Sequence, residues 1–241
     1  MGSEEINNET TMKNCFNFIS KKILRLEPDE VSCSTGAERV VASMKTTAVS
    51  RYHASTRLAW QSKIAFLTTT ILSLGLIFIP LMQLAQVPLH LNGNVLSAVQ
   101  IFMAVAILVY SVIIGTAKYE TRCENLNDCG DKIKDLIREL RREMDSDKNV
   151  KKEKLEDIQK RYAFIVADVE NHQRCDYSLT ILRNRDLYEI SVLCWIKYKF
   201  LYYFIISLNY IPTVLLLTIE FLIISDMFGI TTVFSFLSNK G

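Results

Sequence analysis

No Cys-x-x-Cys pair occurs among the six cysteines of this 241-residue chain (Cys15, Cys33, Cys123, Cys129, Cys175 and Cys194), and His53, His90 and His172 stand apart from them. Zinc sites draw on closely spaced ligand pairs, so no metal is expected. Also missing are Gly-x-Gly-x-x-Gly, a Walker-type loop, His-Glu-x-x-His and Gly-x-Ser-x-Gly. These patterns cradle phosphates, hold catalytic zinc or present a nucleophilic serine. The expectation is therefore no enzyme, no catalytic residue and no cofactor. With a formal net charge of +2 and acidic and basic residues interleaved, direct nucleic-acid binding is not expected either, because mixed charge marks a solvated helical face. Residues 1–15 are polar and acidic, unlike a secretory signal peptide.

What is present is an uneven distribution of charge. Residues 64–117 carry no Asp, Glu, Lys or Arg, and residues 200–225 carry almost none, whereas 118–161 are dense in them. Ile64 to Leu84 and Ser97 to Ala117 are each about the length that crosses the hydrocarbon core of a bilayer as a helix. Pro80 predicts a kink or early stop near the end of the first span. The turn between them holds Pro88, His90, Asn92, Gly93 and Asn94 but no Lys or Arg. Basic residues flank the other ends: Arg51, Arg57 and Lys63 before span one, Lys118 and Arg122 after span two. By the positive-inside rule the N-terminus and residues 118–199 are cytoplasmic; their thiols would then stay reduced.

Three domains are expected: a polar arm over 1–35, a main domain over 36–190, and a C-terminal membrane segment over 191–241. The arm holds an amphipathic piece from Phe16 to Leu24, suited either to the membrane surface or to a disordered arm with one weak helix. A separate helix is read from Gly36 to Ser62, with Trp60 placed for the headgroup region. Span two continues into a seam of Tyr119, Cys123, Leu126, Gly130, Ile133, Ile137 and Leu140, at heptad spacing. One helix of about 45 residues, about 65–70 Å long, would result. Cytoplasmic helices are read over 118–144 and 150–190, the second with a seam of Leu155, Ile158, Tyr162, Ile165, Val169 and His172. They predict an antiparallel hairpin packed on itself or on neighbouring copies. If copies use the seam, charged residues at Leu126 and Ile137 would abolish assembly. A third apolar stretch runs from Phe200 to Ile224, interrupted by Pro212 and containing Glu220. Whether residues 200–237 cross once, twice or re-enter stays open, with one crossing preferred. The fold class is all-α membrane protein.

Two polar groups of residues stand out. On a continuous helix, His172 and Asp176 would share a face and could hydrogen-bond, either as a proton-sensitive contact or as a structural anchor. In the spans, Thr68, Thr69, Thr70 and Ser73 face the choice between helix packing and pore lining, as do Gln100 and Ser111. Glu220 is the one acid well inside a span, a position that usually faces protein or water. Two spans cannot enclose a pore, so any pore requires a homo-oligomer around an axis.

The hairpin followed by Cys129-Gly130, Tyr162, Glu170-Asn171-His172 and Asp176-Tyr177 resembles the SLATT family over roughly residues 36–190. These are bacterial two-transmembrane effector domains found beside nucleotide-second-messenger and reverse-transcriptase defence systems. The resemblance implies an inner-membrane, pore-forming effector of antiviral defence that oligomerises and disables the infected cell (cell suicide, or abortive infection). It also implies a separate trigger, such as a nucleotidyltransferase or reverse-transcriptase system. It supplies no catalytic residues. The alternatives are a membrane-anchored scaffold docking a soluble partner, or an ion channel or transporter using Glu220.

Overall fold

A computed structural model describes residues 27–146 and 150–234. The Phe16–Leu24 piece and the end of the apolar tail lie outside the described residues. Along the chain come β1 (Asp29–Glu30), α1 (Gly36–Leu84), α2 (Gly93–Ala117), α3 (Tyr119–Ser146), α4 (Lys152–Ala167), α5 (Arg174–Arg183), β2 (Tyr188–Glu189) and α6 (Val192–Met227). The fold is all-α apart from β1 and β2, which pair antiparallel with Asp29 opposite Glu189 and Glu30 opposite Tyr188. This two-residue ribbon is too short to leave a periodic sequence signal. The chain divides into two compact units. The described residues of Met1–Thr56 and Cys123–Ile206 form a helical body; those of Arg57–Arg122 and Ser207–Gly241 form a membrane unit.

The body is built on three helices. Ala37, Met44 and Ala48 of α1 join Cys129, Ile133, Leu136, Ile137 and Leu140 of α3 and Ile158 of α4 in one buried cluster. Thr35 and Glu38 start α1 with a capping box: the Thr35 hydroxyl accepts from the Glu38 amide, and the Glu38 carboxylate accepts from the Thr35 amide, each at 3.2 Å. The seams of α3 and α4 thus meet each other and α1 within one protomer. Leu126 and Ile137 are 1% and 7% exposed, so charge there would break the body itself and could not report on contacts between copies. Glu139 of α3 ties down α4 by accepting from Lys154 at 2.8 Å and pairing with Arg161 at 3.0 Å.

Several expected boundaries move. The helix read over 36–62 and span one are a single 49-residue helix, because no Gly or Pro separates them. Pro80 lies inside α1, which runs on to Leu84 and is followed by Gln86 at a positive φ of 55°. The long helix expected from span two is divided at Lys118, which adopts φ 47°, ψ 44°. The Ala117 carbonyl, left without its helical donor there, accepts from Arg122 Nη1 at 3.3 Å. The second cytoplasmic helix, expected over 150–190, ends at Ala167; α5 starts afresh at Arg174.

Within the membrane unit, Leu72, Met103 and Ile107 form one cluster, and Ile79, Leu91, Leu96, Ile223 and Met227 form another at the turn between α1 and α2. The end of α6 reaches that turn: the His90 amide donates to the Met227 carbonyl at 3.1 Å. Gly229 sits at φ +71° against the His90 ring, where a side chain would be both strained and obstructed. Helix α6 therefore passes the unit once, carrying Pro212 inside it. No helix follows among the described residues.

Candidate functional site

The family-motif positions cross-link the helical body. A Cβ on Gly130 would lie 2.9 Å from the Tyr52 ring, so the absence of a side chain on α3 lets the α1 tyrosine lie flat against it. The Tyr52 hydroxyl then donates to Asp131 Oδ1 at 2.6 Å. Cys129 is buried, with its thiol 3.8 Å from the Ile165 carbonyl, and burial pushes its pKa up. That combination suits a packed, unreactive cysteine. Tyr162 of α4 shares a 2.7 Å hydrogen bond with Thr47 of α1.

The remaining motif residues surround the start of α5. Glu170 and Asn171 are exposed in the non-helical segment before it, and Asn171 Oδ1 accepts from the His172 amide at 3.0 Å. His172 and Asp176 do not share a helical face, because His172 precedes the helix. Asp176 instead completes a capping box, accepting from the Gln173 amide at 2.9 Å. The His172 ring lies 6.2 Å from that of Tyr177. Burial, and then a hydrogen bond with Tyr188, raise the Tyr177 pKa; Tyr188 in turn bonds Thr46 at 3.1 Å. Tyr177 and Tyr188 line a cleft of about 620 Å³ together with Arg39, Ser43, Thr46 and Thr47 of α1 and the carboxylates of Glu30 and Asp186.

Sequence reasoning missed the buried stripe of α1 that runs beside this cleft. A signal was available: Ala37, Met44, Ala48, Arg51, Ser55 and Leu58 are all buried and follow steps of seven, four, three, four and three. Arg51 is the charged residue in that stripe.

In the membrane unit the candidate pore-lining residues separate into two sets. Thr69, Thr70, Ser73 and Ser111 gather with Gly115 along a groove of about 560 Å³ lined by α1 and α2. Ser62 donates to Glu120 at 3.2 Å at one end of it. Thr69, Thr70 and Ser73 each donate to the carbonyl four residues earlier, at 2.8–2.9 Å. Thr68 is 2% exposed and turned into the protein. Gln100 buries its Nε2 with no hydrogen-bond partner among the described residues. Glu220 is 6% exposed and packs against Gly75, where any Cβ would collide with its carboxyl group. Missed in the sequence were Gly75 and the buried pair of Tyr110 and Thr213, hydrogen-bonded at 2.9 Å between α2 and α6.

Three helices long and apolar enough to cross a bilayer, in an otherwise helical chain, define an all-α membrane protein. The model of SMODS and SLOG-associating 2TM effector domain family 5 matches residues 33–224. The chain belongs to that family, one of membrane effectors. The matched region takes in most of α6, so the family segment here includes a third apolar helix besides the hairpin. No curated protein and no solved structure matches the chain.

Proposed function

We propose that this protein is a homo-oligomeric effector that permeabilises the bacterial inner membrane in antiviral defence, triggered through a cytoplasmic helical body. The observation that carries the reading is the groove on the two hairpin helices in which Thr69, Thr70, Ser73 and Ser111 lie among Phe66, Leu74, Ile77 and Ile114. Such a stripe can contribute one wall of a water-filled path, and copies around an axis supply the others. The orientation rests on the basic residues flanking the hairpin ends and the absence of Lys and Arg from its turn. The trigger comes from a separate sensor, for example a nucleotidyltransferase or reverse-transcriptase system. The SMODS and SLOG association in the family description supports this division of labour.

One observation favours a non-pore scaffold instead. Three of the four hydroxyls already donate to their own helix, so the groove can face lipid without unsatisfied donors. Changing Thr69, Thr70 and Ser73 together to Leu separates the two. Loss of dye entry and depolarisation in triggered cells at equal membrane abundance is the expected outcome. Full activity of the triple variant would sink the pore wall assigned to this groove.

A further inference from the structure

Arg51 is the largest polar side chain buried in the helical body, at 1% exposure. Its Nε and Nη1 have no hydrogen-bond partner among the described residues. A guanidinium cannot shed its proton to escape burial, so donors left without acceptors carry the full desolvation cost. A second orphan lies beside it. His172 Nδ1 is buried without a partner, and burial together with the nearby Arg51 charge depresses the His172 pKa.

A second histidine and a carboxylate stand in the same region. His53, whose Nε2 is also buried and unpartnered, is held down by burial and then by the charge of Arg183. Asp176 is the acidic group that acts on both histidines, and its Oδ2 already takes the Gln173 amide. Arg51 follows Thr47 by one helical turn on the same face of α1. Thr47 and Tyr177 line the cleft, and the Tyr177 ring lies 6.2 Å from that of His172. Arg51 and His172 do not line the cleft themselves, but each neighbours a residue that does, and the cleft is of the size that small ligands occupy.

We propose that Arg51 and His172 form an oxyanion site, which binds a phosphate-type group of a small molecule whose remainder lies against the hydroxyls of the Tyr177 cleft. Planar, always-charged Arg is suited to such a group because its fork donates to two oxygens at once. The binding claim stands apart from permeabilisation. Only the role of this site as the trigger rests on the effector reading, since Arg51 lies on the same helix as span one.

The test uses the full chain in phosphatidylcholine nanodiscs, with inorganic phosphate as the probe at constant ionic strength. Its melting temperature should rise by about 3–5 °C for each tenfold phosphate increase beyond half-saturation. Arg51→Met should abolish the response while melting no lower than wild type without phosphate, because it removes an unpartnered buried charge. His172→Gln should weaken the response. No phosphate effect in the wild-type protein, or an equal effect in Arg51→Met, would overturn the site. Should Arg51→Met fail to accumulate, an undiminished response in His172→Gln overturns it instead. Stabilisation by phosphatidylglycerol discs without phosphate, lost in either variant, would assign the same oxyanion chemistry to a lipid headgroup.

Discussion

The helical body and the membrane unit use the same secondary structure to opposite ends. In the three-helix core of the body, large apolar side chains turn inward: Ile133, Leu140 and Ile158 are fully buried, and polar groups pair between helices through Tyr52–Asp131, Thr47–Tyr162 and Glu139–Lys154. In the membrane unit, outside the clusters around Leu72 and Leu96, large apolar side chains point outward. Phe66 is 76%, Phe102 66% and Phe221 68% exposed, while the Thr69 and Thr70 hydroxyls bond back to their own helix. The difference is one of solvent. Water drives a core together, whereas hydrocarbon leaves apolar faces outward and demands that polar groups be satisfied locally.

That contrast is broken most directly by placing the same charge in each region. Ile133→Asp should cost about 4 kcal/mol or more, since it buries a carboxylate without a partner. Its readout is loss of protease resistance confined to the body, with membrane association retained. Val109→Asp, at a position 51% exposed, would be mild on a water-facing surface. In a span it should lower stable membrane insertion, with a cost of about 3 kcal/mol at the bilayer centre. Normal alkali-resistant membrane retention of Val109→Asp would show that this face of α2 meets water.

How much of this was legible follows from the same contrast. Spans were readable because absence of charge over 64–117 is a strong one-dimensional signal, and the seams of α3 and α4 because Leu126, Ile133 and Ile158 recur at helical spacing. The break at Lys118 was not, since nothing in a lysine announces a left-handed residue. Nor was the end of α4 at Ala167, where capping by Gln173 and Asp176 begins a new helix and defeats a periodicity that continues through Val169 to His172. The candidate pore residues were legible as a stripe. That Thr68 leaves the stripe while Gly115 joins it depends on how α1 packs on its neighbours.

Two glycines sharpen the comparison at a smaller scale. In the body, Gly130→Ala pushes on a Tyr52 ring tethered through its hydroxyl to Asp131. The overpacking cost of about 1–3 kcal/mol is partly offset by better helix propensity, worth up to about 1 kcal/mol. Adding Tyr52→Phe frees the ring and should recover some of the lost thermal stability. In the membrane unit, Gly75→Ala collides with the Glu220 carboxyl group. The double variant Gly75→Ala, Glu220→Ala should melt higher in detergent than Gly75→Ala alone. Independent, additive losses in that pair would remove the Gly75–Glu220 contact from the account.

The smallest effect expected is electrostatic and belongs to the body alone. Hydrogen bonds from Lys154 and then Arg161 hold the Glu139 carboxyl below its ordinary 4.5. A folded-state pKa that is depressed stabilises above the unfolded value and loses that contribution as pH falls through the folded one. Glu139→Gln should therefore be the less stable protein at neutral pH, by no more than about 1 kcal/mol for so solvated a network. Below about pH 4.5 wild type should lose stability faster than the variant, and the two melting curves should converge. High salt should narrow the neutral-pH gap by screening. A gap that persists unchanged into acid would mean that Glu139 holds α3 to α4 by packing of its side chain and not by its charge.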